Sequence, residues 1–248
     1  MLGPGLVARA APDGHTLGVL PEAALRIHQL QKLAFDPTRD FSFISHLAGY
    51  SFVVAVRSEA PWQSWQEWVA EARRKPGRFR FASAGQYSTM HSAMEELMPK
   101  AGLSLLHVPY KGEMDIVNAL LSGQVDLAIS GSPLHAQVQA GKARALLQWT
   151  EVRGPRYPQV PTLRDMGYGM AVQSPFGLVG PRGMQAEVIE TLQEAWRRAL
   201  EEPAGRAALE RLDMINTYLD SAGYARFVRA QYAHQRQLIQ RLGWQATP

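Results

Sequence analysis

Apolar positions along the chain fall into two alternating rhythms. Short apolar runs, "HTLGVL" (15–20), "SFVVAVR" (51–57), "RFRFAS" (78–83), "LSLLHVPY" (103–110), "QVDLAIS" (124–130) and "ARALLQW" (143–149), read as strands. Stretches of helical period lie between most of them. Trp65, Trp68, Val69 and Ala72 share one helix face, opened by Pro61 and the capping box Ser64 to Glu67 and closed by Pro76 and Gly77. A second stripe is Met90, Ala93, Met94, Leu97 and Met98. A third, Ile116, Val117, Leu120 and Leu121, lies in a helix over 113–122 stopped by Gly123, and a short helix follows from Pro133 to Ala140. This alternation predicts a largely parallel sheet with helices on both faces.

Outside that run the pattern is less regular. "AFDPTRDFSF" (34–43) reads as a loop, and "EVRGPRYPQVPTLRDMGYG" (151–169) is turn-rich, followed by a return strand in "AVQSPFGLVG" (171–180). A helix over 184–200 carries Val188, Ile189, Leu192, Trp196 and Ala199. A shorter helix after Pro203, a strand near "MINTYL" and a final helix capped by Ser221 complete the chain. Trp62, Trp65 and Trp68 resemble a stacking platform for a ligand, but helical spacing favours packing in the core.

The junction "RFRFASAGQYSTMHSAMEELM" (78–98) runs from a strand through a glycine and two hydroxyls into a helix. Open α/β sheets bind ligands at such places. Gly85 lets backbone approach, Ser88 and Thr89 supply hydroxyls, and the helix start adds N–H groups and partial positive charge, which suits an anion. Hydrogen bonds to a charged group contribute about 1.5–3 kcal/mol each, against about 0.3–1 for the dipole, so the donors dominate. A Walker phosphate loop needs Lys where Tyr87 stands. A nucleophile elbow needs Gly-x-Ser-x-Gly, which "GQYSTM" lacks, although Ser88 and His91 are spaced to touch. Ser88 or Thr89 can equally be a plain helix cap. The second loop, "HVPYKGEMD" (107–115), again leaves a strand and enters a helix, so its tip is expected beside the first; an exposed turn at Tyr110 and Lys111 is the plainer reading.

Composition narrows the classes. Hydrophobic residues at 46% and charged residues at 19% fit a folded globular chain and exclude disorder. The net charge of +4 is spread thinly, with clusters only in "EARRKPGRFR" and "EAWRRAL", so no nucleic-acid partner is expected. The count of zero cysteines removes disulfides, thiolate catalysis and cysteine-bound zinc. No apolar run approaches the roughly 18 residues of a membrane span, and "MLGPGLVARAAPDG" carries no secretion signal.

Several segments together carry a family resemblance: "PDGHTL", "FDPTRDFSFISHLA", "KPGRFRFASAG", "STMHSAMEEL", "HVPYKGEMDIVNALLSGQVDLAIS", "GKARAL", "PQVPTLRDMGY" and "FGLVGPRG". In this order they resemble the solute-binding proteins of tripartite tricarboxylate transporters, the Bug family. The resemblance implies a two-lobed α/β fold of the periplasmic-binding-protein type (type 2), with a first lobe from 1–58 and 174–248 and a second from 59–173. It implies capture of a small, carboxylate-type organic solute for a membrane permease, in the periplasm, without covalent chemistry, cofactor, metal or membrane insertion. Carried over, the ligand-facing positions are Ser83, Ala84, Gly85, Gln86, Ser88, Thr89, His91, Tyr110, Lys111, Gly112, Ser130, Ser132 and Phe176. The family often has an acidic residue where Ser130 stands and a small one where Tyr87 stands; these departures point to a smaller or more apolar solute. Family members also begin with a secretion signal and an opening β-α-β unit, so the first lobe is expected to be N-terminally incomplete and export is unassigned. A Ser/His hydrolase and a truncated interaction or sensor lobe stay open as alternatives.

Overall fold

The computed structural model describes residues 1–154, 156–172 and 174–246; Pro155 in the expected turn-rich passage, Gln173 at the end of the expected second lobe, and Thr247 and Pro248 lie outside them. The chain divides into two compact units, Met1–Tyr50 with Ser174–Pro248, and Ser51–Gln173.

The unit Ser51–Gln173 holds β3 (Val53–Arg57), α3 (Trp65–Arg74), β4 (Arg80–Ser83), α4 (Thr89–Ala101), β5 (Leu106–Pro109), α5 (Glu113–Leu121), β6 (Leu127–Ser130), α6 (Ser132–Gln139) and β7 (Ala143–Gln148). Its sheet has the order β5-β4-β6-β3-β7. β4 pairs in parallel with β5 and β6, while β3 runs antiparallel to both β6 and β7. The expected largely parallel sheet therefore carries one reversed strand, and that strand, assigned by the sequence reading to the first lobe, lies inside this unit's sheet. A strand's direction is set by its partners and not by its own residues. The helices match the stripes read from sequence. Ser64 caps α3 by accepting from Glu67 N–H, and the Glu67 carboxylate accepts from Gln63 N–H, one residue before the cap. Trp65 and Trp68 are fully buried and stacked with centroids 5.2 Å apart, and Trp65 Nε1–H donates to Tyr168 Oη, so they pack the core.

The other unit has α1 (Leu2–Val7), β1 (Gly18–Val19), α2 (Glu22–Leu30), β2 (Phe41–Tyr50), β8 (Pro175–Pro181), α7 (Ala186–Glu201), α8 (Pro203–Arg211), β9 (Met214–Leu219) and α9 (Ser221–Arg241). Its sheet, ordered β1-β8-β2-β9, is antiparallel at every ladder. β2 was not anticipated, because its first residues fell in the presumed loop. As an inner strand with register shifts at Phe43/Ser45 and His46/Ala48, it shows no clean in-out alternation. α9 is capped by Asp220, whose carboxylate accepts from Gly223 N–H, and not by Ser221, whose hydroxyl donates to Phe43 O. The buried Glu22 accepts from the Gln235 amide and lies 3.7 Å from the buried Arg26, which ties α2 to α9.

The basic clusters are engaged locally. Arg74 and Lys75 pair with Glu71, and Arg197 and Arg198 with Glu194, whose carboxyl they hold down at about 2. Among the described residues, no helix is long and apolar enough to cross a membrane.

Candidate functional site

The strand-to-helix turns after β4, β5 and β6 lie at one edge of the sheet, since these strands run in the same direction. At the first turn, Ser83 O accepts from Gly85 N–H and from Tyr110 N–H, both at 2.9 Å, which fixes the tip of the second turn to the first. Gly85 has φ 101°, a conformation glycine adopts without strain, and its missing side chain leaves room beside Tyr110 O. Tyr87 also sits in the left-handed region, at φ 60°, where a non-glycine residue is uncommon. Ser88 follows as the N-cap of α4, its hydroxyl accepting from His91 N–H at 3.2 Å and donating to Ser83 Oγ at 3.3 Å. That cap satisfies one of the N–H groups a helix start leaves without an internal acceptor.

Beneath the loop lies a polar cluster that sequence reading did not assemble. Ser83 is fully buried and its Oγ is 2.7 Å from His107 Nε2. The His107 and His91 rings stack with centroids 4.0 Å apart, and Phe81 stacks on His107 at 4.9 Å. His91 Nδ1 accepts from Tyr87 N–H, which places its proton on Nε2, 3.5 Å from Glu95 Oε1. Burial first, and then the neighbouring His91, push His107 down to about 4, with Glu95 opposing. His107 was missed because the pair Ser83–His107 is 24 residues apart. The available signal was strand register: β4 and β5 align Phe81 with His107, which puts the imidazole on the same face as Ser83.

The second turn presents Tyr110, half-buried, and Lys111, exposed, before Gly112 caps α5 through its backbone alone. The first helical residue is Glu113. Its Oε2 accepts from Ser130 Oγ at 2.5 Å and from Gly131 N–H at 2.8 Å. β4 stands between β5 and β6, so this carboxylate reaches across the end of β4 to the third turn. Glu113 was also missed. An acidic residue in the first turn of a helix is ordinary, and nothing local to "KGEMD" points to a partner on β6.

The expected residues are thus distributed as follows. Ala84, Gly85, Ser88, Thr89, Tyr110 and Gly112 are half-buried around the two joined turns, with Gln86 and Lys111 exposed at their rim. Ser83 and His91 are buried below the loop, and Ser130 is buried with its hydroxyl committed to Glu113. Ser132 opens α6 and is half-buried. Phe176 belongs to the other unit, on β8 opposite Ala48, with its ring edge-on to Tyr50 at 5.9 Å. The hydrolase reading required Ser88 to meet the His91 ring; here Ser88 Oγ faces the His91 amide, and the ring accepts from Tyr87. Ser83, which does meet an imidazole, is fully buried, out of reach of a substrate.

A cavity of about 700 Å³ lies elsewhere in this unit, among Ser58, Gln63, Trp65, Arg144 and Tyr157. Arg144 spends its guanidinium there on the carbonyls of Ser58, Ala60 and Trp62, so it is no ready anion site. Among the described residues, no group of three His, Asp or Glu side chains is placed to hold a metal ion.

Comparison with known proteins bears on this geometry. The chain is 37% identical over 239 residues to the UPF0065 protein in gbd 5'region of Cupriavidus necator, covering 96% of this chain and 73% of that protein. It is 30% identical to the UPF0065 protein in tcbD-tcbE intergenic region of Pseudomonas sp. (strain P51), covering 86% of this chain and 64% of that one. The fold is similar to that of MatC from Rhodopseudomonas palustris with bound malate, at TM-score 0.82 and 26% identity, covering 96% of this chain and 83% of MatC. The two-sheet α/β architecture is therefore that of periplasmic binding proteins, and the model of the tripartite tricarboxylate transporter family receptor matches residues 1–244. On these grounds the chain belongs to the tripartite tricarboxylate transporter receptor family, as a substrate-binding protein.

Proposed function

We propose that this protein captures a small organic solute bearing a carboxylate and presents it to the membrane permease of a tripartite tricarboxylate-type transporter, acting in the periplasm and without covalent chemistry. The observation that carries the reading is the bond from Tyr110 N–H to Ser83 O, which holds two strand-to-helix turns together at one sheet edge. A carboxylate seated there is met by the start of α4, the backbone of Gly112, the Thr89 hydroxyl and the Ser88 hydroxyl, whose hydrogen turns from Ser83 Oγ to the guest. These donors are short and fixed by the helix cap, so little ordering is required on binding. Lys111 at the rim supplies long-range attraction for an anion. Family membership and the malate held by MatC support the solute class. We place Phe176 on the ligand by family resemblance.

Isothermal titration calorimetry with a panel of small carboxylates tests this. At least one is expected to bind, with affinity falling about tenfold or more when Ser88 and Thr89 are both replaced by alanine, in line with loss of hydrogen bonds to a charged group. Absence of binding across the panel, or unchanged affinity in the double variant, would contradict it.

A further inference from the structure

We infer that the outer edge of β7 is a docking slot for a short extended segment of a partner polypeptide, which pairs with β7 and lengthens the sheet of this unit. β7 is the last strand in the order β5-β4-β6-β3-β7, so β3 is its sole ladder partner. Its register against β3 decides which groups the other edge offers. Ser58 N–H donates to Lys142 O at 3.1 Å, and Arg144 lies opposite Val56. Bonded pairs alternate along an antiparallel ladder, so Lys142 and Arg144 turn to β3 while Ala143 and Ala145 turn outward. Beyond the register shift at Val54/Ala55 the outward residue is Gln148, and there the edge is already used. Gln148 N–H donates to Pro161 O at 2.8 Å and its carbonyl accepts from Leu163 N–H at 3.1 Å, a short parallel addition by the chain itself. Among the described residues, no protein group meets the outer N–H and C=O of Ala143 and Ala145.

These groups are within reach of a guest, because the cavity of about 700 Å³ noted above is lined by Ala143, Arg144 and Ala145. That volume encloses a short segment and not a whole face of a second copy. A donor and an acceptor repeated two residues apart, about 6.7 Å along the strand, complement another extended backbone better than a compact solute. The lining also fits a neutral chain. Trp65, Val138 and Val160 are apolar, and Gln63 and Gln159 stand exposed at the cavity with amides that suit peptide groups. Its two arginines are spent, Arg144 on three carbonyls and Arg153 on Asp165 and Pro158 O.

Amide hydrogen exchange and amide resonances of the isotope-labelled full chain test this. In the free protein the Ala143 and Ala145 amides are expected to exchange faster than that of Arg144, which β3 holds. The probes are the blocked pentapeptides acetyl-Thr-Val-Thr-Val-Thr-amide and acetyl-Val-Thr-Val-Thr-Val-amide. At least one is expected to shift both alanine amides saturably and to slow their exchange about tenfold or more. Methylating alternate backbone nitrogens of that peptide in either phase, which leaves the protein untouched, is expected to abolish binding in one phase. Ala145→Pro, which removes an outward donor on an edge strand, is expected to weaken binding about tenfold, with circular dichroism melting establishing that the variant is folded. Slow exchange at Ala143 and Ala145 in the free protein, silence of both amides toward both peptides, or equal binding of both methylated forms overturns the slot. Protection of the two amides that rises with protein concentration alone gives the edge to a second copy and overturns it too.

Discussion

The turns after β4 and β6 are made of similar parts and have opposite occupancy. Each ends a parallel strand in a buried serine, passes a glycine and opens a helix. After β4, α4 starts six residues beyond Ser83, and this longer loop supplies its own cap in Ser88. After β6, α6 starts only two residues beyond Ser130; no side chain of its own caps it, and Glu113 from the neighbouring turn does so. A helix start needs an acceptor from somewhere. The difference teaches that loop length decides whether the acceptor is local, leaving the corner adaptable, or borrowed, leaving it filled.

The comparison can be broken at its filled side first. Glu113→Ala strips the acceptor from a fully buried hydroxyl and a backbone amide, and should cost about 2 kcal/mol in urea unfolding, whereas Ser88→Ala should cost about 1. Equal or reversed costs would mean that Glu113 is not the anchor of the turn after β6.

Acidity separates the two turns next. His107 lies under the β4 turn with its pKa pushed down to about 4, so the fold holds it neutral while the unfolded chain binds a proton below about 6.5. Stability is therefore full above pH 6.5 and declines as pH falls toward 4, where the loss levels off. Burial lowers His46 in the other unit as well, which adds to the same limb. The His107 share is on the order of 1–2 kcal/mol, discounted because the ring is only half buried. In His107→Asn the acid decline should be shallower; an identical decline would remove the imidazole cluster from the account.

The same contrast explains what the sequence could and could not reveal. The stripes Trp65–Ala72, Met90–Leu97 and Ile116–Leu120 identified their helices because each buries one face, and the caps at Ser64 and Ser88 are local chemistry. The two joined turns were legible for the same reason. β2 was not, because its register shifts and its central position erase alternation. α2 carries the buried pair Glu22 and Arg26 on its inner face, which breaks an apolar stripe. The reversal of β3, the Ser83–His107 contact and the reach of Glu113 to Ser130 depend on which strands become neighbours, and no short window contains that information.

The most direct measurement is a titration of the isotope-labelled full chain with its best-binding carboxylate, followed through backbone amide resonances. The account predicts the largest shifts at Gly85, Ser88, Thr89 and Gly112, with Gly131 nearly still because Glu113 already holds its N–H. Large shifts at Gly131 with silence at Ser88 and Thr89 would contradict it.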